Sequence, residues 1–366
     1  MSFFRRRLVL GAAFAISLIV AATMLRLVLE WRQALADIDA MIVTPAAIDL
    51  PANAPPLTTQ DPSSAPQSPG AIGPASASSQ PAGGQISAVS ADTPTLSQAT
   101  LNILLLGTDA RPGDKGPTRT DAMVLVRLDR ATGRVSMLSI PRDLWVSYAG
   151  GGEGRINGAY AAGEKRYPGY GPAVAKATVG RLVGVDVDHF VLINFQGFET
   201  LIDQLGGVSV NVPEAIYDPV YPTQDYNTIE VRFRSGPQLL SGERALIYAR
   251  TRHADSDFGR NQRQQLVLVA IFNRVRERGL FEQLTSLDDY TRALRDYVRT
   301  DMDRSRMLEL AGFAKDLSAD AVLRYAIDST VVVDLRDPAT FAVEPKALHK
   351  IVSQFKGEAL SSAGGE

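Results

Sequence analysis

The first informative pattern is a short apolar run closed by glycine, Leu101 to Gly107. Its hydrophobicity is continuous rather than alternating, as in a strand covered on both faces. Two more strands are predicted at Ala122–Leu128 and Arg134–Ile140, separated by the turn-forming Asp129-Arg130-Ala131-Thr132-Gly133. A helix follows over Gly171–Leu182, a strand over Phe190–Asn194, and a helix from Phe198 to Leu205 stopped by Gly206-Gly207. Val208–Val212 and Ile229–Phe233 read as strands. Ser241 is an N-cap type that opens a helix, and a longer helix covers Phe258–Arg278. From Phe281 the pattern is mostly helical, with one β-branched run at Ser329–Asp334. Strands alternating with helices predict a three-layer α/β sandwich around a central mixed sheet.

The chain before Leu101 follows other rules. Arg5, Arg6 and Arg7 precede an apolar run from Leu8 to Leu25, which as a helix spans about 27 Å, enough to cross a hydrocarbon core. Basic residues before the run place the N-terminus in the cytoplasm and the remainder outside the membrane. The alternative is a cleaved signal peptide. Ala34-Leu35-Ala36 resembles a cleavage site, but it lies well past the run and behind Arg26, Glu30 and Arg32, which favours an uncleaved anchor. From about Thr44 to Gln98 the sequence is rich in Pro, Ala, Ser and Gly, and it cannot bury enough apolar surface to offset its ordering entropy. Such a segment reads as a disordered tether with a root-mean-square span of roughly 40 Å, or as filler. The expected organisation is therefore an anchor at 1–30, a linker at 31–98, a catalytic domain at 99–280 and a helical extension at 281–366.

Composition narrows the chemistry. Basic and acidic residues number 38 and 40, so no bulk charge points to nucleic acid. There is no cysteine, which excludes thiolate nucleophiles, disulfides and sulfur-ligated metals. The three histidines, His189, His253 and His349, are too scattered for a zinc hydrolase motif. Nucleotide-binding loops and the GxSxG elbow are missing. Ser353-Gln354-Phe355-Lys356 has SxxK spacing without the motifs that accompany it, and reads as coincidence.

The candidate chemistry sits at strand ends, where open α/β sheets bind their ligands. Asp109 and Arg111 follow the first strand, Arg119 and Asp121 precede the second, and Arg142 and Asp143 follow the third. Asp109 and Asp121 are hard oxygen donors suited to Mg²⁺, though each could equally cap a turn. A second cluster spans Arg250 to Gln264. If extended, Arg250 and Arg252 share one side; Arg260 and Gln264 share a helix face near an N-terminus, where anions are favoured. Guanidinium forks match phosphate oxygens bidentately. A solvated basic face paired with Asp255 and Asp257 fits the same residues.

Six blocks in order, LLLGTDAR, TRTDAMVLVRLD, SIPRDLWV, RINGAYAAG, HFVLINFQGFETLIDQLGGVSVNVP and GPQLLSGERALIYARTRHADSDFGRNQRQQ, cover about Asn102–Ala270 and resemble the LytR–CpsA–Psr family. The resemblance implies an apolar pocket for a polyprenyl-pyrophosphate lipid. It also implies a phosphotransferase that moves a glycopolymer from that carrier to peptidoglycan outside the membrane, with Mg²⁺ (or Mn²⁺) as cofactor. Asp109 and Asp121 match the family's metal carboxylates. Arg142, Arg250, Arg252 and Gln264 match its pyrophosphate contacts, with Arg111, Arg119, Lys176 and Arg260 beside them; Asp109, Asp121, Arg142 and Arg250 are the expected catalytic set. Arg155 stands where relatives usually carry Lys. A hydrolase of the same lipid needs the same residues. A non-catalytic lipid-binding or wall-attachment module would not need both carboxylates.

Overall fold

The computed structural model describes residues 26, 30, 32–44, 99–110, 116–223, 227–252, 256–279, 287–317, 321–335 and 340–358. Helix α1 (32–41) comes first. Then come β1 (Thr100–Thr108), β2 (Thr120–Asp129), β3 (Arg134–Ser139), the small pair β4 (Trp145–Ser147) and β5 (Glu153–Arg155), α2 (Ala159–Arg166) and α3 (Gly171–Val183). They are followed by β6 (His189–Asn194), α4 (Phe195–Gln204), β7 (Val208–Val212), the ribbon β8 (Ile216–Pro222) and β9 (Thr228–Phe233), β10 (Gly236–Leu240), α5 (Gly242–Arg250) and α6 (Asp257–Glu277). The last third contains α7 (Leu287–Leu294), β11 (Val298–Thr300), α8 (Arg304–Asp316), β12 (Val322–Ala326), β13 (Val332–Asp334), β14 (Phe341–Val343) and α9 (Pro345–Lys356).

Six strands form the central mixed sheet in the order β11-β6-β1-β2-β3-β12. The β1–β6 and β3–β12 pairs are parallel, and the other neighbours run antiparallel. The continuous apolar runs have the predicted cause. On one face Leu104, Leu106, Met123 and Leu125 bury against α3 and α9. On the other, Ile103, Leu105, Val126 and Leu128 meet α6 and α8. A second core gathers β7, β8, β9, α4, α5 and α6 around Tyr248 and Phe233.

Two regions differ from the sequence reading. The stretch after residue 280, read as a mostly helical extension, supplies both edge strands of the sheet. Three residues of β11 and five of β12 are too few to carry a visible periodicity. At the other end, the part of the expected linker over 32–44 is ordered. Ala34 and Met41 are buried, and Val43 N–H donates to the Thr300 carbonyl at 2.7 Å. Among the described residues no helix is long and apolar enough to cross a membrane. The expected span at Leu8–Leu25, the rest of the linker from residue 45 to 98, Arg111 and His253 all lie outside the described residues.

Candidate active site

The site lies where β1 and β6 end. Gly107 pairs with Ala122 and Thr108 with Thr120, so Asp121 is the extra residue of a bulge in β2. A bulge bends the strand and re-aims the side chain it carries. The Asp121 carboxylate accepts from Arg142 Nη1 at 3.0 Å. Asp109 immediately follows Thr108 and is exposed, so both carboxylates stand at the same end of one strand pair. Gly107 permits this close pairing, since a Cβ there would come within 3.0 Å of the Ala122 Cβ.

Arg142 is the hub. Besides Asp121 it contacts Asp143 through Nε at 3.2 Å and Asp257 at 3.9 Å. Burial opposes its charge, but Asp121, Asp257 and Asp143 outweigh this and raise its pKa above the ordinary arginine value. Arg155 reaches Asp143 from the far side at 3.2 Å, so the fourth sequence block buttresses the third. Burial pushes the Asp143 carboxyl upward against the pull of Arg142.

The opposite wall is built by α5 and α6. Arg250 is the last residue of α5, and the chain turns extended only at Thr251 (φ −54°, ψ 139°), so the expected extended pairing of Arg250 with Arg252 does not occur. Both nevertheless line the cleft. Arg263 is buried and fixes the end of α5, donating to the carbonyls of Tyr248 at 3.0 Å and of Thr251. The Arg250 guanidinium stacks 4.3 Å from the Phe195 ring centroid and 5.8 Å from that of Tyr221. Ser256 caps α6 and Asp257 occupies its first turn, so an acid already stands at the helix N-terminus expected to favour anions.

Arg260 and Gln264 share the cleft-facing side of α6, as their spacing predicts. Arg260 is 4% exposed and bonds Asp257 through Nη1 at 3.0 Å, while its buried Nε and Nη2 have no hydrogen-bond partner among the described residues. Burial lowers its pKa, Asp257 opposes this, and Arg142 adds to the lowering. Two buried N–H donors on one guanidinium leave a place for an anionic acceptor.

The cleft encloses about 220 Å³, and its lining includes Asp121, Arg142, Arg250, Arg252, Arg260 and Gln264. Ala122, Phe195, Arg250 and Gln264 also line an adjoining apolar cavity of about 220 Å³, walled by residues such as Val124, Ile193, Phe198, Leu201 and Leu268. Leu105 and Leu268 continue into a third, almost wholly apolar void of about 290 Å³ beneath α6 and α8. A cationic mouth therefore opens onto an apolar run along one sheet face. That arrangement suits a ligand with a multiply charged head and a hydrocarbon tail.

The model of the LytR_cpsA_psr family matches residues 74–356. The chain belongs to this family. It is 37% identical over 212 residues to the polyisoprenyl-teichoic acid–peptidoglycan teichoic acid transferase TagU of Oceanobacillus iheyensis, a match covering 57% of this chain and 61% of the relative. It is 31% identical over 218 residues to the regulatory protein MsrR of Staphylococcus aureus, covering 59% and 61%. The chain thus spans about three fifths of the length of these curated relatives. Among solved structures, B. subtilis TagV superposes with a TM-score of 0.55 at 26% identity over 71% of this chain and 98% of that one. A structure described as TagT bound to LI-WTA gives 0.54 at 26% identity, over 71% and 90%.

Within this family member, three described residues carried over by motif are not in the cleft lining: Asp109 stands exposed at its rim beyond β1, and Lys176 and Arg119 lie elsewhere. Lys176 on α3 is held by Asp301 at 2.6 Å and the Asp188 carbonyl at 3.0 Å, beside the start of β6. The cleft is at the other end of that strand, so Lys176 lies apart from the other expected pyrophosphate contacts, in an internal ion pair. Arg119 is exposed on the approach to β2. Conversely, the sequence reading does not mark Phe195, inside the fifth block, or Tyr221, between the fifth and sixth, and it takes Asp257 only as a partner of a solvated basic face. Phe195 and Tyr221 flank Arg250, and Asp257 joins Arg142 to Arg260. Only the packing of distant segments makes them neighbours.

Asp109 and Asp121 also bear on a metal. Among the described residues no group of three or more His, Asp or Glu is placed to hold a metal ion. A divalent ion here would take two carboxylates from the protein and the rest from phosphate oxygens and water. That donor set fits Mg²⁺.

Proposed function

We propose that this protein is a membrane-anchored phosphotransferase that moves a glycopolymer from a polyprenyl-pyrophosphate carrier to peptidoglycan outside the cytoplasmic membrane. The observation that carries this reading is the shared boundary of cleft and apolar cavity at Phe195, Arg250 and Gln264. It puts cationic groups where a pyrophosphate meets its lipid. The relatives, a polyisoprenyl-teichoic acid–peptidoglycan teichoic acid transferase and a TagT bound to LI-WTA, support the same class of carrier and acceptor.

In this mechanism Arg142, Arg250, Arg252 and Arg260 bind the pyrophosphate oxygens, with Gln264 at the junction to the lipid. Phosphoryl transfer needs positioning and charge neutralisation more than a protein nucleophile, in keeping with a chain that lacks cysteine. An acceptor sugar hydroxyl attacks the phosphorus that bears the glycan. The P–O bond to the second phosphate breaks, its electron pair leaves with polyprenyl phosphate, and the hydroxyl proton passes to solvent or a base. Asp109 and Asp121 would hold Mg²⁺, which supplies further neutralisation of the developing charge. The product is a phosphodiester.

The deciding experiment uses the full chain in detergent with Mg²⁺, labelled polyprenyl-pyrophosphate oligosaccharide and saturating peptidoglycan. Label should enter peptidoglycan through a phosphodiester. Label recovered only as free sugar phosphate would replace the transferase with a hydrolase. A reporter fused after Glu366 should be active outside the cytoplasm only, and cytoplasmic activity would overturn the topology.

A further inference from the structure

The segment between the expected membrane span and the globular domain does not hang free. Helix α1 packs on the domain with Ala34 and Met41 buried. Asp37, 2% exposed, accepts from Arg295 at 3.1 Å. Asp39 takes two contacts from the Arg304 guanidinium, one at 2.6 Å. Ile42 then bridges Thr300 in parallel, Val43 N–H bonds the Thr300 carbonyl at 2.7 Å, and Val43 packs against the main core. The chain over 42–43 thereby covers the open edge of β11, where unpaired backbone groups would otherwise remain.

From these contacts we infer that residues 32–44 are a rigid stalk that seats the domain against the bilayer, and that 45–98 is an excursion whose two ends both return to the domain. The inference rests on the membrane anchor proposed above. Residue 44 leaves beside Thr300 and residue 99 enters β1 beside Asp129, both away from the cleft end of the sheet. Residues 42–43, β11, β6 and β1 lie side by side, so three strand spacings, about 14 Å, separate the two chain paths laterally. A bridge of about ten residues, reaching about 33 Å extended, spans that gap. The chain left between the expected span and the docked helix is only 26–31, about 9 Å if helical. A donor whose lipid tail begins in the bilayer is then met at a set height, and the Pro-rich stretch adds no reach.

Two measurements on the full chain in vesicles test this. The chain has no cysteine, so Leu308→Cys on α8, a position 55% exposed, accepts a single dye whose energy transfer to labelled lipid headgroups reports height. Replacing 45–98 by ten Gly/Ser residues should leave the transfer efficiency unchanged. A tether would instead give an efficiency that rises as the segment shortens, and this result would overturn the inference. Hydrogen exchange at the Val43 amide should be slow, and faster by at least tenfold in Asp39→Ala. Exchange at the free-chain rate in the parent chain would overturn the docking itself. A chain that does not sediment with vesicles would sink the anchor instead, and a docked Val43 amide in that same sample shows which of the two readings failed.

Discussion

The Arg250 guanidinium lies 4.3 Å from the centroid of the Phe195 ring, and that ring also lines the apolar cavity. One aromatic side chain therefore orients a cation of the cleft and faces the adjoining apolar cavity, the places the proposed function gives to pyrophosphate and lipid tail. Phe195→Leu keeps the apolar lining but loses the cation–π contact, worth about 0.5–2 kcal/mol. Affinity for a polyprenyl pyrophosphate should fall by about 2- to 30-fold, with Phe195→Tyr close to the parent. Titration by isothermal calorimetry checks this, and equal affinity for the Leu variant would deny Phe195 its role.

Arg250→Lys and Arg252→Lys preserve charge and lose the planar fork. Losing a charge-assisted pair at a desolvated site costs on the order of 2–5 kcal/mol, and each Lys variant should lose part of it. The variants should fold normally by circular dichroism and bind the lipid pyrophosphate more weakly. Parent-like affinity in both would favour the solvated-face explanation of this segment.

Asp109→Asn and Asp121→Asn should each abolish turnover, and chelation should do so reversibly, with added Mg²⁺ restoring it. The Asp121 variant should also loosen Arg142, because it weakens the 3.0 Å pair. Full activity in EDTA would remove the metal from the mechanism.

Asp301 joins Lys176, His189 and the Phe190 amide. Burial raises its pKa, but the close His189 ring and the hydrogen bonds from Lys176 and the Phe190 amide outweigh this and hold it below the usual carboxylate range. A depressed folded-state pKa stabilises the protein above the unfolded value, and the contribution disappears as pH falls through the folded value. Asp301→Asn should therefore cost about 3 kcal/mol near neutral pH, by stranding the Lys176 ammonium. The gap to the parent should narrow below about pH 4. Denaturant melts at several pH values measure this, and a gap that is constant with pH would refute it.

Much of the frame could be read directly. The apolar runs of β1, β2 and β3 are buried on both faces, and the polar residues at their ends supply Asp121 and Arg142 to the cleft. The Ser241 cap and the Arg260–Gln264 spacing were equally visible, because both are local rules. What escaped depends on distant packing. Lys176 looks like a phosphate ligand until Asp301, from another third of the chain, claims it. Asp257 looks like a solvated acid until Arg142 reaches it. The bulge at Asp121 is a property of a strand pair, and nothing in β2 by itself reveals it.

The placement of the two edge strands bears on how the chain folds. β12 pairs in parallel with β3, and β11 closes against β6, so the sheet joins residues 322–326 to 135–139 and 298–300 to 191–193. Contacts this remote in sequence require long loops to close and slow the search for the native state. A nascent chain stopped anywhere before Val298 holds β6 and β3 as bare, apolar edges, the form of exposed strand most prone to pair with another molecule. Folding of the domain must therefore wait until β12 has been made, and its early intermediates are the species most in need of protection.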